Sequence, residues 1–323
     1  MVRPYTRFNV GERVFFVNWD SEYVQRLVQT ALEEDIGAGD ATVLATIPAR
    51  ATGKARIVAR EDLVCAGLPM AERVFRALDP DMKIELRVKD GDLVPKGTVM
   101  LHLEGKARAI LTGERTALNF LGRLCGIATV VHRFVEAIRG TRARIRDTRK
   151  TTPGLRLLEK YAVKTGGGTN HRIGLYDAIL LKENHIALAG GVKQALDQAH
   201  SYAALHAKPD ALTAYEEAVP SRAADTVLPV QIEVRDEREL REAISAGAES
   251  VLLDNMTPAE AKHSVDIARQ LRTDCVVEIS GGITLENVRA YAETGADFLS
   301  SGTLTHSAPA ANLSLLVDSI EDK

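Results

Sequence analysis

Six short apolar segments after residue 143 constrain the fold more than any other feature of the sequence. They span residues 144–148, 177–184, 228–236, 249–256, 275–282 and 297–302. Stretches with helical spacing of apolar residues separate them, at 154–165, 190–207, 236–246, 257–272 and 284–295. Such alternation of buried-type strands and helices predicts a parallel β-sheet. Because about six units fall short of the eight in a closed barrel, we predict an open, incomplete α/β barrel.

Polar residues end nearly every one of these segments. In chain order they are Asp147, Arg149 and Lys150, then Lys182 and Glu183, then Glu233, Asp254, Ser280, Gly281 and Gly282, and finally Ser301 and Gly302. In a barrel, the carboxyl ends of all parallel strands meet at one mouth, where active sites lie. In a doubly wound sheet, only the strands at the switch point would need such residues. The pattern therefore favours a barrel with a site at its mouth.

The first third of the chain has a different pattern. Residues 21–35 show helical spacing behind a serine cap, while 53–60, 83–90 and 98–105 alternate or are rich in β-branched residues. A long amphipathic stretch, 106–139, follows. We therefore predict an N-terminal α+β, sandwich-like domain over residues 1–118, joined by a C-terminal helix at 306–323. The barrel domain would then span residues 119–305.

Composition excludes several classes of protein. The 323 residues carry a formal net charge of −3 and the pI is about 6.3, which argues against nucleic acid as the main partner because phosphate backbones select basic surfaces. No apolar run approaches the roughly 20 residues of a membrane helix, and no signal peptide is evident. Three scattered cysteines and no zinc-type histidine spacing leave a reducing, cytoplasmic location as the expectation.

The predicted mouth gathers cationic side chains in a chain that is acidic overall. They are Arg149, Lys150, His171, Arg172 and Lys182. Clustered cations repel one another unless an anion neutralises them, and the planar guanidinium of arginine suits carboxylates and phosphates. The cluster therefore predicts an anionic ligand.

Two further groups of residues complete the predicted site. The Ser-Gly endings of the last two strands would present backbone N–H groups without side-chain obstruction, as phosphate loops in barrels do. Glu233 and Asp254 place negative charge opposite the cations. Carboxylates there suit ribose hydroxyls, a Mg²⁺ ion or a positive charge that develops during a reaction.

Several motifs, in this order along the chain, resemble those of the quinolinate phosphoribosyltransferase (nicotinate-nucleotide pyrophosphorylase, carboxylating) family. They are ALNFLGRLCGIAT, DTRKTTPGLRLLEKYAVKTGGGTNHRIGLYDAILLKENHI, QIEVRD, LLDNM, EISGGIT and SSGTLTHS. The resemblance covers roughly residues 20–310 and is most specific at 147–186. It implies a pentosyltransferase of NAD biosynthesis, which joins quinolinate to phosphoribosyl pyrophosphate with Mg²⁺ and releases nicotinate mononucleotide, CO₂ and pyrophosphate.

The resemblance also assigns roles to individual residues of this chain. Lys150, Glu233 and Asp254 would be catalytic, with Mg²⁺ near the two acids, held directly or through substrate. The remaining substrate-binding residues would be Thr148, Arg149, His171, Arg172, Lys182, Ser280, Gly281, Gly282, Ser300, Ser301 and Gly302. The family implies a homodimer, or a higher oligomer, with shared active sites, in which Arg115 reaches in from the neighbouring subunit.

Three alternatives remain open from the residues. A Schiff-base aldolase could use Lys182 or Lys150 at a strand end, because buried lysines lower their pKa readily. A barrel that only senses a phosphate ligand would not need both acids and all the cations. A relative of altered function, of the molybdenum-transport-associated type, is disfavoured by the intact DTRKT and NHR motifs. The segment 200–226 is longer than the family's usual connection.

Overall fold

The computed structural model describes residues 17–205 and 228–321. The first 16 residues, most of the predicted excursion at 200–226 and the last two residues lie outside the described part of the chain. Within that part, two sheets organise the molecule, a four-stranded antiparallel sheet and a six-stranded parallel one. No helix in the described ranges is long and apolar enough to cross a membrane.

The antiparallel sheet belongs to the N-terminal domain and has the strand order β12-β1-β5-β3. Its strands are β1 (Thr52–Ala59), β3 (Lys83–Leu86), β5 (Val99–Lys106) and β12 (Leu313–Glu321), and a small ladder joins β2 (Leu63–Val64) to β4 (Leu93–Val94). Helices α1 (Glu22–Ile36), α2 (Ala41–Thr46), α3 (Leu68–Leu78) and α4 (Ala107–Ala137) accompany it. The packing of α4 against β1, β5 and β12 gives the predicted helix-on-sheet sandwich.

The C-terminal helix predicted at 306–323 is wrong. Residues Leu313–Glu321 form β12, which pairs antiparallel with β1 along its whole length. The apolar residues Leu313, Leu316, Val317 and Ile320 have the i, i+3, i+4, i+7 spacing of a helix, which explains the error. The free edge of β1 offers backbone hydrogen bonds to an extended segment, and this partner is visible only in the tertiary structure.

Helix α4 connects the two domains without interruption. The predicted boundary between residues 118 and 119 falls inside this 31-residue helix. The segment before β12 crosses α4 at Gly122, whose carbonyl accepts a hydrogen bond from the Ala311 N–H at 2.8 Å. A Cβ at Gly126 would collide with the Pro309 carbonyl. Glycine is therefore required on α4 for the C-terminal segment to reach the N-terminal sheet.

The parallel sheet forms the barrel domain, with strand order β6-β11-β10-β9-β8-β7. The strands are β6 (Arg144–Arg146), β7 (Ile179–Leu181), β8 (Val230–Val234), β9 (Ser250–Asp254), β10 (Val276–Ser280) and β11 (Phe298–Ser300). Because β6 and β7 stand at opposite ends of this order, the barrel is open. The prediction of an α/β fold with an open barrel of about six parallel strands is confirmed.

Seven helices follow or precede the parallel strands in the described ranges; five correspond to predicted helical stretches, whereas those at Glu183–Ala189 and Thr303–His306 were not predicted. The seven helices are α5 (Arg156–Thr165), α6 (Glu183–Ala189), α7 (Val192–Leu205), α8 (Glu237–Ser245), α9 (Pro258–Leu271), α10 (Val288–Ala292) and α11 (Thr303–His306). The start of α9 illustrates the local cause, since Thr257 and Glu260 form a capping box with Pro258 at the first helical position. A single cluster of buried apolar side chains runs through both domains.

Candidate active site

The carboxyl ends of the six parallel strands, together with the loop 166–178, form the mouth of the open barrel. Thr148, Arg149 and Lys150 follow β6, Lys182 follows β7, Glu233 lies in β8 and Asp254 ends β9. Ser280 ends β10 beside both Asp254 and Ser300 in the sheet register. The loop contributes His171 and Arg172. The structure therefore brings the predicted residues to one end of the barrel, with the exception of Arg115.

Two of the predicted cations, Arg149 and Arg172, lie close enough together for the charge of Arg149 to act on Arg172. Burial, and then the charge of Arg149, lower the pKa of Arg172 below its ordinary value. The Arg172 guanidinium donates one hydrogen bond, from Nη1 to the Ala178 carbonyl at 3.1 Å. The Nε of Arg149 is buried and has no hydrogen-bond partner within the described ranges. An anion between the two guanidinium groups would relieve both conditions.

Lys182 and Glu233 pair across adjacent strand ends. The Lys182 Nζ lies 2.6 Å from the Glu233 Oε2, with the lysine side chain 49% exposed and the glutamate 12% exposed. The backbone N–H of Lys182 is bound by the His185 ring at 3.0 Å, at the start of α6. This places a cation and an acid side by side on the same wall of the mouth. An anionic substrate can therefore replace Glu233 as the partner of Lys182, so that the lysine is not left without a negative charge beside it.

Asp254 is oriented by the residue that follows it. The Asn255 Nδ2 donates to the Asp254 Oδ2 at 2.8 Å, and the Asn255 N–H donates to the Ser280 carbonyl at 2.9 Å. Asn255 has a φ of 55°, and it is the non-glycine residue with positive φ in the described part of the chain. This left-handed conformation is uncommon outside glycine and is held here by both strand ends. Sequence reasoning missed Asn255, although its place in LLDNM was a signal.

In the predicted phosphate loops, the backbone conformation and close neighbours favour glycine. Gly281 and Gly282 have φ values of 99° and 64°, and a Cβ at Gly281 would collide with the Asn255 side chain. A Cβ at Gly302 would lie 2.8 Å from the Cδ of Lys150. The Ser301 hydroxyl donates to the Ile283 carbonyl at 2.8 Å, which ties the two loops together. These glycines therefore keep the mouth open beside the exposed Lys150 side chain.

The Lys150 backbone is also anchored. Its N–H donates to the Thr148 Oγ1 at 3.0 Å, and its carbonyl accepts from the Thr305 Oγ1 at 2.8 Å. Thr148 therefore shapes the loop through a local hydrogen bond of the type that favours turns. The two contacts fix the main chain of Lys150 while its ammonium group stays in solvent.

Below the mouth lies a buried polar network, which we call the floor: Arg146, Gln231, Glu278 and Ser300. The Arg146 Nη1 lies 2.7 Å from the Glu278 Oε2, and the Gln231 Nε2 donates to the same oxygen at 3.0 Å. The Ser300 hydroxyl donates to the Glu278 Oε1, and the Arg146 guanidinium carbon stands 3.3 Å from the Phe298 ring centroid. Ser300 is 3% exposed, so its side chain serves the floor, and the mouth receives only its backbone.

Glu278 is ionised although it is fully buried. Burial by itself would raise the pKa of Glu278, but the charge of Arg146 and the hydrogen bonds from Ser300 and Gln231 lower it. Arg146, Gln231 and Glu278 were missed by sequence reasoning, because inward-facing polar residues within apolar segments carry no signal of their own. Their partners come from different strands.

A second buried pair anchors the loop 166–178. The Lys160 Nζ lies 2.6 Å from the Asp147 Oδ1, and both side chains are 0% exposed. Asp147 also accepts from the Asn170 Nδ2 at 2.7 Å and the His171 N–H at 2.8 Å. The sequence placed Asp147 among the strand-end residues of the mouth, but the structure uses it to hold the loop that delivers His171 and Arg172. Lys160 gave no sequence signal.

His171 has both ring nitrogens bonded within the protein. Its Nδ1 accepts the Arg172 N–H at 2.7 Å, and its Nε2 lies 3.1 Å from the Gln231 Oε1. Burial is the main cause that lowers the pKa of His171, against the opposing charge of Glu278. The ring is therefore neutral at neutral pH. Neither nitrogen is left for a ligand in the mouth.

Arg115 stands apart from the other predicted residues. It is exposed on α4 and lines a surface groove of about 290 Å³. The other residues that line this groove are Leu118, Asn119, Gly122, Ala310, Ala311, Asn312 and Leu313. None of the other predicted site residues is among them. Arg115 therefore belongs to a different surface of the subunit from the mouth.

Family models match almost the whole described chain. The model for the quinolinate phosphoribosyl transferase N-terminal domain matches residues 40–154, and that for the C-terminal domain matches 127–209 and 210–316. A probable nicotinate-nucleotide pyrophosphorylase (carboxylating) of Bacillus subtilis is 39% identical over 292 residues, covering 90% of this chain and 92% of that protein. A chloroplastic nicotinate-nucleotide pyrophosphorylase (carboxylating) of Oryza sativa is 37% identical, covering 91% and 78%.

Solved structures give the same result. The nicotinate-nucleotide pyrophosphorylase of Francisella tularensis superposes with a TM-score of 0.81 at 38% identity, covering 92% of this chain and 96% of that one. The enzyme of the same name from Ehrlichia chaffeensis superposes with a TM-score of 0.77 at 34% identity, covering 91% and 98%. With sequence, domain models and fold in agreement, this chain belongs to the quinolinate phosphoribosyltransferase family.

Proposed function

We propose that this chain transfers the phosphoribosyl group of phosphoribosyl pyrophosphate to quinolinate, with loss of CO₂, to give nicotinate mononucleotide and pyrophosphate. The observation that carries the proposal is the mouth, where an arginine pair and a lysine face two carboxylates beside glycine loops. A dicarboxylate acceptor and a phosphorylated sugar donor need these groups together. The relatives named above are called nicotinate-nucleotide pyrophosphorylases (carboxylating), in agreement with this activity.

The residues divide between the two substrates. Arg149 and Arg172 hold the quinolinate carboxylates, because fork-shaped guanidinium groups bind planar carboxylates through paired hydrogen bonds. Lys182, at the end of β7, adds a third cation. The exposed ammonium of Lys150 faces the pyrophosphate. The backbone at Gly281, Gly282, Ser301 and Gly302 receives the 5′-phosphate.

The acids act on the charge that develops during transfer. As the bond from ribose C1 to pyrophosphate breaks, positive charge grows on the sugar, and Glu233 and Asp254 stabilise it. The pyridine nitrogen forms the new bond to C1. The resulting pyridinium accepts the electron pair that is released when the 2-carboxylate leaves as CO₂, and the ring carbon then takes a proton. The protein contributes mainly the positioning of the two substrates.

Mg²⁺ fits the acids as a metal that is shared with substrate. In the described ranges no group of three His, Cys, Asp or Glu side chains could hold a metal. One or two carboxylates plus substrate phosphates is the usual coordination of Mg²⁺, and Glu233 and Asp254, on adjacent strands, supply that number. When bound, the ion would neutralise the leaving pyrophosphate.

The direct test is formation of nicotinate mononucleotide. Purified protein with quinolinate, phosphoribosyl pyrophosphate and Mg²⁺ should release CO₂, pyrophosphate and the nucleotide in equal amounts. Omission of quinolinate is the control. A protein that is folded but produces none of the three would refute the proposal. Borohydride inactivation in the presence of a carbonyl substrate would instead support a Schiff-base enzyme that uses Lys182.

The assembly we propose is a homodimer in the cytoplasm with shared active sites. Arg115 supports it, because this exposed cation lies in a groove away from its own mouth and an isologous dimer places such a groove against a partner. The three buried, free cysteines support a reducing compartment.

Subunit mixing tests the shared site. Arg115→Ala and Arg149→Ala chains are allowed to exchange subunits, and activity is measured at a quinolinate concentration low enough that neither variant alone turns over measurably. In each mixed dimer one site holds both defects and the other holds neither. Random pairing makes half of the dimers mixed, so about a quarter of wild-type activity should return. Proven exchange without any return of activity would show that Arg115 serves its own subunit.

A further inference from the structure

The hydrogen bonds around Glu278 have a direction that can be followed from the floor to the mouth. Glu278 is ionised and pairs with Arg146 at 2.7 Å. A carboxylate only accepts hydrogen bonds, so the side-chain NH₂ of Gln231 must face it, at 3.0 Å. The amide oxygen of Gln231 is then the atom that faces His171, at 3.1 Å. The nitrogen opposite that oxygen, the His171 Nε2, must therefore carry a proton.

The other side of the His171 ring leads to the same conclusion independently. Its Nδ1 stands 2.7 Å from the backbone N–H of Arg172. An N–H can only donate, so Nδ1 must be unprotonated. An imidazolium, or the tautomer with the proton on Nδ1, would set two donors against each other. Both sides of the ring therefore require the neutral tautomer with its proton on Nε2.

Burial is the main cause that disfavours the imidazolium and lowers the pKa of His171. The charges around the ring are of both signs, negative from Glu278 and Asp147 and positive from Arg146 and Lys160. The two hydrogen bonds then decide which ring nitrogen of the neutral form carries the proton. Because the His171 ring is neutral, the positive charge that the loop 166–178 brings to the mouth is that of Arg172, next to Arg149.

We propose that Gln231 and Glu278 are positioning residues of the quinolinate site, which lock His171 as its Nε2–H tautomer so that the ring holds the Arg172 main chain. His171 is then itself a positioning residue, and no ring nitrogen touches the substrate. The assignment of quinolinate to this wall rests on the proposed function. The tautomer of His171 and the hydrogen bonds that link Glu278, Gln231 and His171 do not depend on that function.

The first test needs no variant. The ¹⁵N spectrum of histidine-labelled protein near pH 7 separates protonated from unprotonated ring nitrogens, and the His171 signals are assigned by their loss in His171→Asn. We expect a protonated Nε2 and an unprotonated Nδ1. A His171 imidazolium, or a proton on Nδ1, would overturn the proposal whether or not the protein binds quinolinate.

The second test breaks the chain at Gln231. Gln231→Met keeps the length of the side chain and leaves the Arg146–Glu278 pair intact. We expect the signal of the protonated His171 Nε2 to shift, because its acceptor is lost, and the quinolinate Kd and KM to rise about tenfold, the size of one lost hydrogen bond. The KM for phosphoribosyl pyrophosphate and kcat should change by less than about twofold. The matched control is Gln29→Met, a surface glutamine that also donates to a carboxylate, at 2.7 Å.

Two outcomes of the second test are decisive. An unshifted His171 Nε2 signal, or an unchanged quinolinate Kd, in a folded Gln231→Met protein would overturn the proposal. If that variant does not fold, His171→Asn and His171→Ala replace it, because asparagine retains an acceptor near the Nδ1 position. Asparagine should then preserve quinolinate binding better than alanine, and equal losses would count against the proposal. A wild-type protein that does not bind quinolinate in calorimetry would refute the proposed function alone.

Discussion

The floor and the mouth of the barrel lie a few residues apart on the same strands, yet they treat charge in opposite ways. Arg146 in the floor has a carboxylate partner and an aromatic ring, whereas Arg149, three residues later, makes no ion pair with any residue in the described ranges. Glu278 receives three donors, whereas Ser280, two residues later, opens into the glycine loop. Charged groups that pair within the protein stabilise the fold, whereas a charged group without such a partner is available to bind a substrate.

The largest effect we expect concerns the mouth and its choice of substrate. Nicotinate lacks the 2-carboxylate, so the arginine pair would be left without its anion. Sites built around polar groups reject such analogues by about 10⁴-fold. Steady-state kinetics with both pyridines should show this ratio in kcat/KM. Comparable kcat/KM values for nicotinate and quinolinate would mean that the mouth does not recognise the 2-carboxylate.

The next effect concerns the buried charges. Lys160→Met should lower the free energy of unfolding by about 3–5 kcal/mol, because it leaves the buried Asp147 carboxylate without its cation. Urea unfolding monitored by circular dichroism measures the change. Lys164→Met, an exposed position on the same helix, is the control and should stay within about 0.5 kcal/mol. Equal stability of the two variants would contradict the view that buried pairs hold the loop 166–178.

Glu233→Gln should affect turnover and leave the fold intact. The substitution keeps the shape and removes the charge that faces the developing positive centre, so kcat should fall about 10²- to 10³-fold. Quinolinate affinity should change much less, because that charge exists only in the transition state. Glu242→Gln, exposed on α8, is the control. Loss of quinolinate binding with kcat retained would assign Glu233 a different role.

Arg149→Ala and Arg172→Ala should each weaken quinolinate binding without unfolding the protein. Loss of one charge-assisted contact costs about 1.5–3 kcal/mol, or roughly 10- to 150-fold in KM. Thermal unfolding should be nearly unchanged, which distinguishes these arginines from the residues of the floor. An unchanged KM and kcat in either variant would remove that arginine from the site.

The smallest effect is a pH dependence of stability. The pKa of His171 is lowered by burial from its ordinary 6.5, so below that pH the unfolded chain binds a proton that the folded chain excludes. Stability should therefore fall as the pH is lowered through this range, by at most about 1.4 kcal/mol per pH unit for one proton. Denaturant midpoints of the wild type and His171→Asn, measured between pH 7 and pH 5, should converge. Parallel curves would mean that His171 is not neutral in the folded state.

Much of the barrel could be predicted from the sequence, because each strand–helix unit carries a local period and strands of a parallel barrel end at one mouth. Arg149, Lys182, Glu233 and Asp254 were found in this way, and Arg172 was added as a cation of the loop before β7. The first four are polar residues at the ends of apolar strands, which is where a parallel barrel places its active site. Their roles in binding and catalysis stay predictions until the variants are measured.

The floor could not be predicted, and neither could the orientation of His171. Glu278 and Arg146 lie inside apolar segments 132 residues apart in the chain. Nothing in the sequence around either residue shows that the two form an ion pair in the folded protein. His171 was predicted as a ligand on the strength of its neighbours. The structure instead bonds both of its ring nitrogens within the protein.

The sequence by itself determined the order of strands and helices, the open parallel barrel and the chemical character of its mouth, because these follow from local periodicity and residue type. Only the tertiary structure decided which charged residues pair with one another and that Leu313–Glu321 is a strand. Each of these depends on a partner far away in the chain. Hydrogen bonds and ion pairs of that kind are set by the packing of whole elements, which no local pattern records.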